Sequence, residues 1–282
     1  MACKQMDIVD SHHHFWKIGR GIYNWISDDI SGIRRDYEPK HLSHYLSHLG
    51  VSKTVLVQAA ENLIENDAML EIAANNDFVA GVVAWVNLDS PIAAEKLNSL
   101  AKNPKVKSVR PVLQGIEDTN WVLRQQVQDN IALLPELGLC FDALIQPRHL
   151  VAIDTLSDNL PGLKIVIDHA AKPIIANGQS AGPDWENGMS KLAEKSNIYC
   201  KLSGIATEQG PGWQAKTLKP VADHLLQAFG PSRLMWGSDW PVLELSGSYV
   251  QWFNAAQELI SDLSEEDKQQ VMGQTASEFY SL

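Results

Sequence analysis

The chain reads as an α/β protein, a (β/α)8 barrel with an additional helix at its C-terminal end. Three observations predict this. About eight short apolar runs alternate with helical segments at a spacing of roughly 25 to 45 residues, as βα units do. The runs are strongly apolar, which implies a parallel sheet covered on its outer face. No composition break or flexible linker interrupts the 282 residues, so 1–282 reads as a single domain. A doubly wound open sheet is the alternative. It usually has fewer strands and a glycine-rich first turn, whereas here that turn holds His12-His13-His14 and no G-x-G-x-x-G occurs.

Met6 to His14 is the first strand, and it ends in histidines. Alternation puts His12 and His14 on one face with Ile8 and Asp10, and His13 on the other. Asp10 is therefore expected to orient one of the two rings. Lys17 to Pro39 is a long loop whose Tyr23, Trp25 and Tyr37 argue against disorder. Pro39 opens a helix through Leu49, Val51 to Gln58 is a strand, and a helix covers 62–75. The alternation continues with strands at 78–86, 106–112, 140–145, 163–167, 198–202 and 233–236. Helices are expected at 90–101, 121–137, 148–157, 185–194, 218–229 and 250–260. Gly138 stops the fourth of these eight helices, and Ser264 with Asp267 approximates a capping box for a final one.

The net charge of −11 and a pI near 5.2 argue against a nucleic-acid surface. They also give no general attraction for anions, so an acidic substrate would need a few local cations. Cys3 lies in the terminal arm, and Cys140 and Cys200 lie in strands, as expected of reduced thiols in a reducing compartment. No leader-like segment is seen, and no apolar run reaches the ~18 residues of a membrane span. The expectation is a soluble cytoplasmic protein with neither membrane nor nucleic-acid partner, and barrels of this size often pair as homodimers.

Barrel chemistry sits at the C-terminal ends of the strands. Those ends carry His12 and His14, Gln58, Trp85 or Asn87, Arg110, Gln146, His169, Ser203 and Asp239. Taken alone, His169 could be a hydrogen-bonded core histidine, and Asp239 could cap the next helix. Together, three histidines and an aspartate at one mouth can hold one Zn-like ion with a water, or activate water without metal. Arg110 and Lys172 are cations near that mouth. Trp16, Trp25 and Trp240 flank it and would suit a sugar ring or another flat small molecule. His41, His44, His48, His149 and His224 fall in helical stretches and are expected at the surface. No G-x-S-x-G, P-loop or H-E-x-x-H is present.

The chain resembles the amidohydrolase superfamily, in particular the amidohydrolase-related branch that includes sugar-acid lactonases and sulfomuconolactone hydrolases. The resemblance rests on Asp10-Ser11-His12-His13-His14-Phe15-Trp16, Arg34-Arg35-Asp36-Tyr37 and Val109-Arg110. It extends through Asp168-His169-Ala170-Ala171-Lys172-Pro173, Cys200-Lys201-Leu202-Ser203-Gly204 and Trp236-Gly237-Ser238-Asp239-Trp240-Pro241. It implies that His12, His14, His169 and Asp239 form the metal site, and that Asp239 and His169 act in catalysis. Trp16, Trp25, Arg110 and Lys172 would bind substrate. No lysine ends the fourth strand and no histidine the fifth, which argues against a two-metal centre. One divalent ion, zinc by the ligand set, is the expectation, with metal-independent turnover left open because some lactonases of the broader group need none. The implied activity is opening of a small sugar-acid or related lactone, Asp239 assisting water. A metal-dependent decarboxylase or C–C lyase, or a catalytically silent sugar-acid binding protein, are the alternatives.

Overall fold

A computed structural model describes residues 7–175 and 179–282, so Cys3 and the chain start lie outside the described residues. The eight strands are β1 Ile8–His13, β2 Val51–Val57, β3 Val79–Ala84, β4 Val106–Val109, β5 Cys140–Ala143, β6 Ile165–Ile167, β7 Ile198–Leu202 and β8 Leu234–Trp236. Each is parallel to its neighbour in sequence order, as βα units require. The connections hold α1 Pro39–Leu49, α2 Leu63–Asn75, α3 Ala93–Leu100, α4 Gln125–Ile131, α5 Leu150–Asn159 and α6 Pro183–Ala193. Two helices, α7 Ile205–Gln209 and α8 Ala215–Phe229, lie between β7 and β8.

The sheet closes where β1 meets the segment after β8. Asp239 donates its backbone N–H to His12 O at 2.8 Å, and His14 N–H donates to Trp240 O at 2.7 Å. Ser11 Oγ donates to Trp236 O at 2.6 Å. The barrel is thus sealed by backbone bonds of the same residues that carry the histidines and the aspartate.

After β8 come α9 Tyr249–Leu259, α10 Glu265–Gln269, a π-helical turn over 270–274 and α11 Thr275–Tyr280. This C-terminal segment floors the barrel. Phe279 and Tyr280 pack against Val9, Val55, Val57, Val83, Val166 and Met235 from the inner strand faces. Gly273 permits the approach, because a Cβ there would lie 1.9 Å from Asp7 O. Among the described residues no helix is long and apolar enough to cross a membrane.

Two expectations need correction. The helix at 121–137 is a short turn at Trp121–Leu123 followed by α4, which is only seven residues long. Arg124 is extended (ψ 138°), and Pro135 could not continue a helix, lacking an N–H and clashing with the preceding turn. His149 is buried, not superficial: its Nδ1 lies 3.1 Å from Gln146 N, capping the turn before α5.

Candidate active site

At the C-terminal ends of the strands, His12, His14, His169 and Asp239 converge. His12 and His14 leave β1 on one face, with their Nε2 atoms 3.2 Å apart. Asp239 Oδ1 lies 3.4 Å from His14 Nε2 and 3.8 Å from His12 Nε2. His169 reaches the same oxygen from β6, with Nε2 3.7 Å away. All four are buried.

The backbone is strained where it presents these groups. Asp239 has φ 57°, and His169, Ala170, Ala171 and Lys172 have φ between 52° and 59°. Each non-glycine residue in the left-handed region costs about 1–2 kcal/mol. The run is held because Trp185 Nε1 donates to Ala170 O at 2.7 Å and both alanines are fully buried. Such strain persists where a side chain must be aimed. Gly204, at φ 68°, lies against the His169 ring, leaving no room for a Cβ.

Hydrogen bonds set the proton positions. His14 Nδ1 lies 2.8 Å from Val57 O, which can only accept, so Nδ1 carries the hydrogen and Nε2 presents a lone pair. That lone pair faces the Asp239 carboxylate, two acceptors 3.4 Å apart that a shared cation would reconcile. His169 Nδ1 lies 2.8 Å from Ser203 Oγ, and the nearby Asp239 carboxylate favours the proton on Nε2. Burial lowers the His169 ring to about 4, so it is neutral at pH 7. Burial pushes the Asp239 carboxyl up, but His169, which gains its proton in the same acid range, and Lys172 oppose it, and the group is held below its usual value. Asp239 is therefore ionised.

The ligand atoms of His12, His14 and Asp239 lie within 4.8 Å of one another. Two imidazoles and a carboxylate are an ordinary donor set for a divalent transition ion, and the set fits one here. His169 is not one of that trio, but its ring packs 4.4 Å from that of His12, and with His12 and Asp168 it forms a second group of closely spaced ligand atoms.

Beneath these residues lies a charged layer. Arg110 Nη1 donates to Asp168 Oδ2 at 3.0 Å, and Nη2 bonds Gln58 O. Lys201, fully buried on β7, places Nζ 2.6 Å from Asp142 Oδ2 and 2.9 Å from Asp168 Oδ1. Tyr280 Oη donates to Asp142 Oδ2 at 2.7 Å. Sequence reasoning assigns no role to Lys201, Asp142 or Tyr280. The available signal is a charged residue at an inward position of a short apolar strand, Asp142 two residues past Cys140 and Lys201 on β7.

Above the four residues opens a cavity of about 460 Å³, lined by Asn24, Trp25, Glu61, Asn62, Gln114 and Lys172 among others. Trp25 stands at the rim, 41% exposed. Trp16 and Trp240 do not reach this wall. Trp16 is fully buried behind Trp25, with its Nε1 donating to Arg35 O at 2.9 Å, and Trp240 Nε1 donates to Glu244 at 3.0 Å. Asp10 does not touch a histidine ring. It accepts from the backbone N–H of Ser238 (2.8 Å) and His12 (3.2 Å) and from Tyr249 Oη (2.9 Å), tying β1 to the turn that carries Asp239. Lys172 borders the cavity but pairs with Glu208 at 2.8 Å.

A structure of an amidohydrolase from Burkholderia multivorans with bound zinc superposes at a TM-score of 0.91, with 31% identity over 98% of this chain and 99% of that one. In sequence the chain is 38% identical to an L-fucono-1,5-lactonase of Burkholderia ambifaria, covering 97% of this chain and 95% of the relative. It is 31% identical to an L-fucono-1,5-lactonase of Burkholderia multivorans, covering 97% and 96%. The amidohydrolase family model matches residues 9–282, and this chain belongs to that family.

Proposed function

We propose that the protein hydrolyses the ring ester of a small, uncharged sugar-acid lactone. The observation that carries this reading is an ionised carboxylate, Asp239, set among the imidazoles of His12, His14 and His169 on the floor of a cavity with no unpaired cation among the described residues. The volume of about 460 Å³ lies toward the small end of the roughly 300–1,000 Å³ typical of small-molecule sites. Asn24, Glu61, Asn62 and Gln114 offer donors and acceptors suited to hydroxyl groups, and Trp25 offers a flat apolar face. Arg110 and Lys172 are already paired with Asp168 and Glu208, so neither is free to hold a substrate carboxylate or sulfonate. The relatives named fucono-lactonases support the same class.

Asp239 takes the proton of a water as it attacks the lactone carbonyl and returns a proton to the departing ring oxygen. His169, neutral with its hydrogen on Nε2, donates to the carbonyl oxygen as negative charge builds there. A donor in that role is typically worth roughly 3 kcal/mol of barrier. His14, locked by Val57 O, keeps its lone pair toward Asp239 and fixes the water between them. His12, His14 and Asp239 are the residues that would hold a divalent ion such as zinc, which when bound lowers the pKa of water and polarises a carbonyl. Two reduced, buried cysteines, Cys140 and Cys200, fit a cytoplasmic setting.

A panel of sugar-acid lactones in a pH-indicator assay tests the reading, with Asp239→Asn alongside. The expectation is acid release from neutral lactones and loss of turnover in a folded Asp239→Asn. Release of carbon dioxide in place of one acid product, or near-normal rates in the variant, would reject it.

A further inference from the structure

His12 has contradictory neighbours. Lys201 Nζ lies 3.1 Å from its Nδ1, and an ammonium can only donate, so this contact asks for a lone pair on Nδ1 and a hydrogen on Nε2. The Nε2 hydrogen then has its acceptor 3.2 Å away in the lone pair of His14 Nε2. Asp168 Oδ1, 3.4 Å from Nδ1, and Arg110 Nη1, 3.4 Å from Nε2, favour the opposite tautomer, which would free Nε2 to bind a metal. The contacts that place the hydrogen on Nε2 are the shorter pair. Lys201 is also fixed: Nζ donates to Asp142 Oδ2, meets His12 Nδ1, and is paired by charge with Asp168 Oδ1 at 2.9 Å, and the residue is fully buried.

We propose that Lys201 is a positioning residue that keeps the proton of His12 on Nε2 and thereby weakens the grip of His12, His14 and Asp239 on a divalent cation. His12 Nε2 then lends its hydrogen to His14 in the metal-free site, and an ion must displace that hydrogen to bind. Removing Lys201 leaves Asp168 as the partner of Nδ1, the arrangement in which a histidine ligand is oriented by a carboxylate behind it. The inference rests on the cation site described above but not on the identity of any lactone.

The test is the zinc affinity of the purified, metal-stripped protein, read by competition with a chromophoric chelator. The variants are Lys201→Met and the charge-conserving pair Lys201→Met with Asp142→Asn, each checked for folding by near-UV circular dichroism. Partners behind a metal ligand typically shift affinity 10- to 100-fold, so both variants are expected to bind zinc about 10- to 100-fold more tightly than wild type. Adding His12→Ala to the pair should abolish the gain. Unchanged or weaker zinc binding in the folded variants, or a gain that survives without His12, overturns the proposal. If Lys201→Met alone does not fold, the pair carries the test, since it leaves no uncompensated carboxylate at position 142. A protein that shows the gain yet opens no lactone would remove the lactonase reading and leave this one standing.

Discussion

Gly204→Ala should inactivate the enzyme by displacing one ring. A Cβ at position 204 would lie 2.6 Å from both Cγ and Nδ1 of His169 and 2.7 Å from its Cβ. Non-bonded carbon atoms are at ease at about 3.5–4.0 Å, so the imidazole must retreat by about 1 Å. Its own backbone cannot help, because residues 169–172 are already held in a left-handed run. The ring would lose its 2.8 Å bond to Ser203 Oγ and its aim at the carbonyl oxygen. A misplacement of about 1 Å can cost about 100-fold in rate, and that is the expected fall in kcat/KM. Alanine at a positive φ costs a further ~1–2 kcal/mol of stability. Gly138→Ala separates the two effects, since Gly138 has φ 70° and a Cβ there would meet nothing within 4 Å. Lactone hydrolysis and thermal unfolding are measured for both variants. A Gly204→Ala enzyme within threefold of wild-type kcat/KM would refute the role given to His169.

Two further perturbations probe the cavity and its wall. Trp25→Ala removes the exposed aromatic face at the rim and should raise KM roughly 3- to 10-fold, about 1 kcal/mol, with kcat within twofold. An equal fall in kcat would instead place Trp25 in the chemistry. Glu65 accepts from the backbone N–H groups of Ala59 (2.9 Å) and Ala60 (2.7 Å), which line the cavity, and burial raises its carboxyl from 4.5 to about 7. The native state therefore keeps a proton that the unfolded chain sheds. Its favourable contribution is complete below pH 4.5 and is lost as pH rises through about 7, by about 3 kcal/mol over the window. Against Glu65→Gln, wild type should lose ground in urea unfolding between pH 5 and pH 7.5; a gap that does not change with pH would contradict the shift.

The barrel was legible because its strands are short, apolar and regularly spaced, and because alternation on β1 separates His12 and His14 from His13, which turns away to Thr54 Oγ1 at 2.8 Å. The four converging residues were legible for a related reason: in a closed parallel barrel every strand end faces one mouth, so chemistry at the ends of β1 and β6 and after β8 must meet. Less visible was what lies one layer down. Asp142 and Lys201 look misplaced in apolar strands until the closure of the sheet brings them within 2.6 Å of each other. Nor does the sequence tell a tryptophan on a cavity wall from one behind it. Trp16 and Trp25 are neighbours at 5.6 Å between ring centroids, and only the path of the 17–39 loop decides which one meets solvent. Asp10 misled because a register break on β1 between Asp10 and His13 takes it off the face of His12, so it turns to Tyr249 of α9 and to backbone N–H groups at the closing seam instead of orienting a ring.

Charge explains why such a site would prefer a neutral lactone and still let its product go. Arg110 faces Asp168, Lys201 faces Asp142 and Asp168, and Lys172 faces Glu208, so each of these cations meets a carboxylate before it meets a ligand. Glu61 on the cavity wall has no such cation among its described neighbours, and Asp239 on the floor is ionised. On the proposed reading a lactone enters without charge and is held by hydroxyl contacts and the face of Trp25. Hydrolysis then creates a carboxylate a few ångströms from Asp239, in a buried setting where like charges repel more strongly than in water. The same event that completes the reaction thus weakens binding. An anionic lactone would meet that repulsion on entry, so the pairing of Lys172 with Glu208 works as a selectivity device: Glu208→Gln, which frees the ammonium, should raise kcat/KM for anionic lactones relative to neutral ones by about tenfold, the worth of ~1.4 kcal/mol. An unchanged ratio would mean that charge in the cavity does not select the substrate.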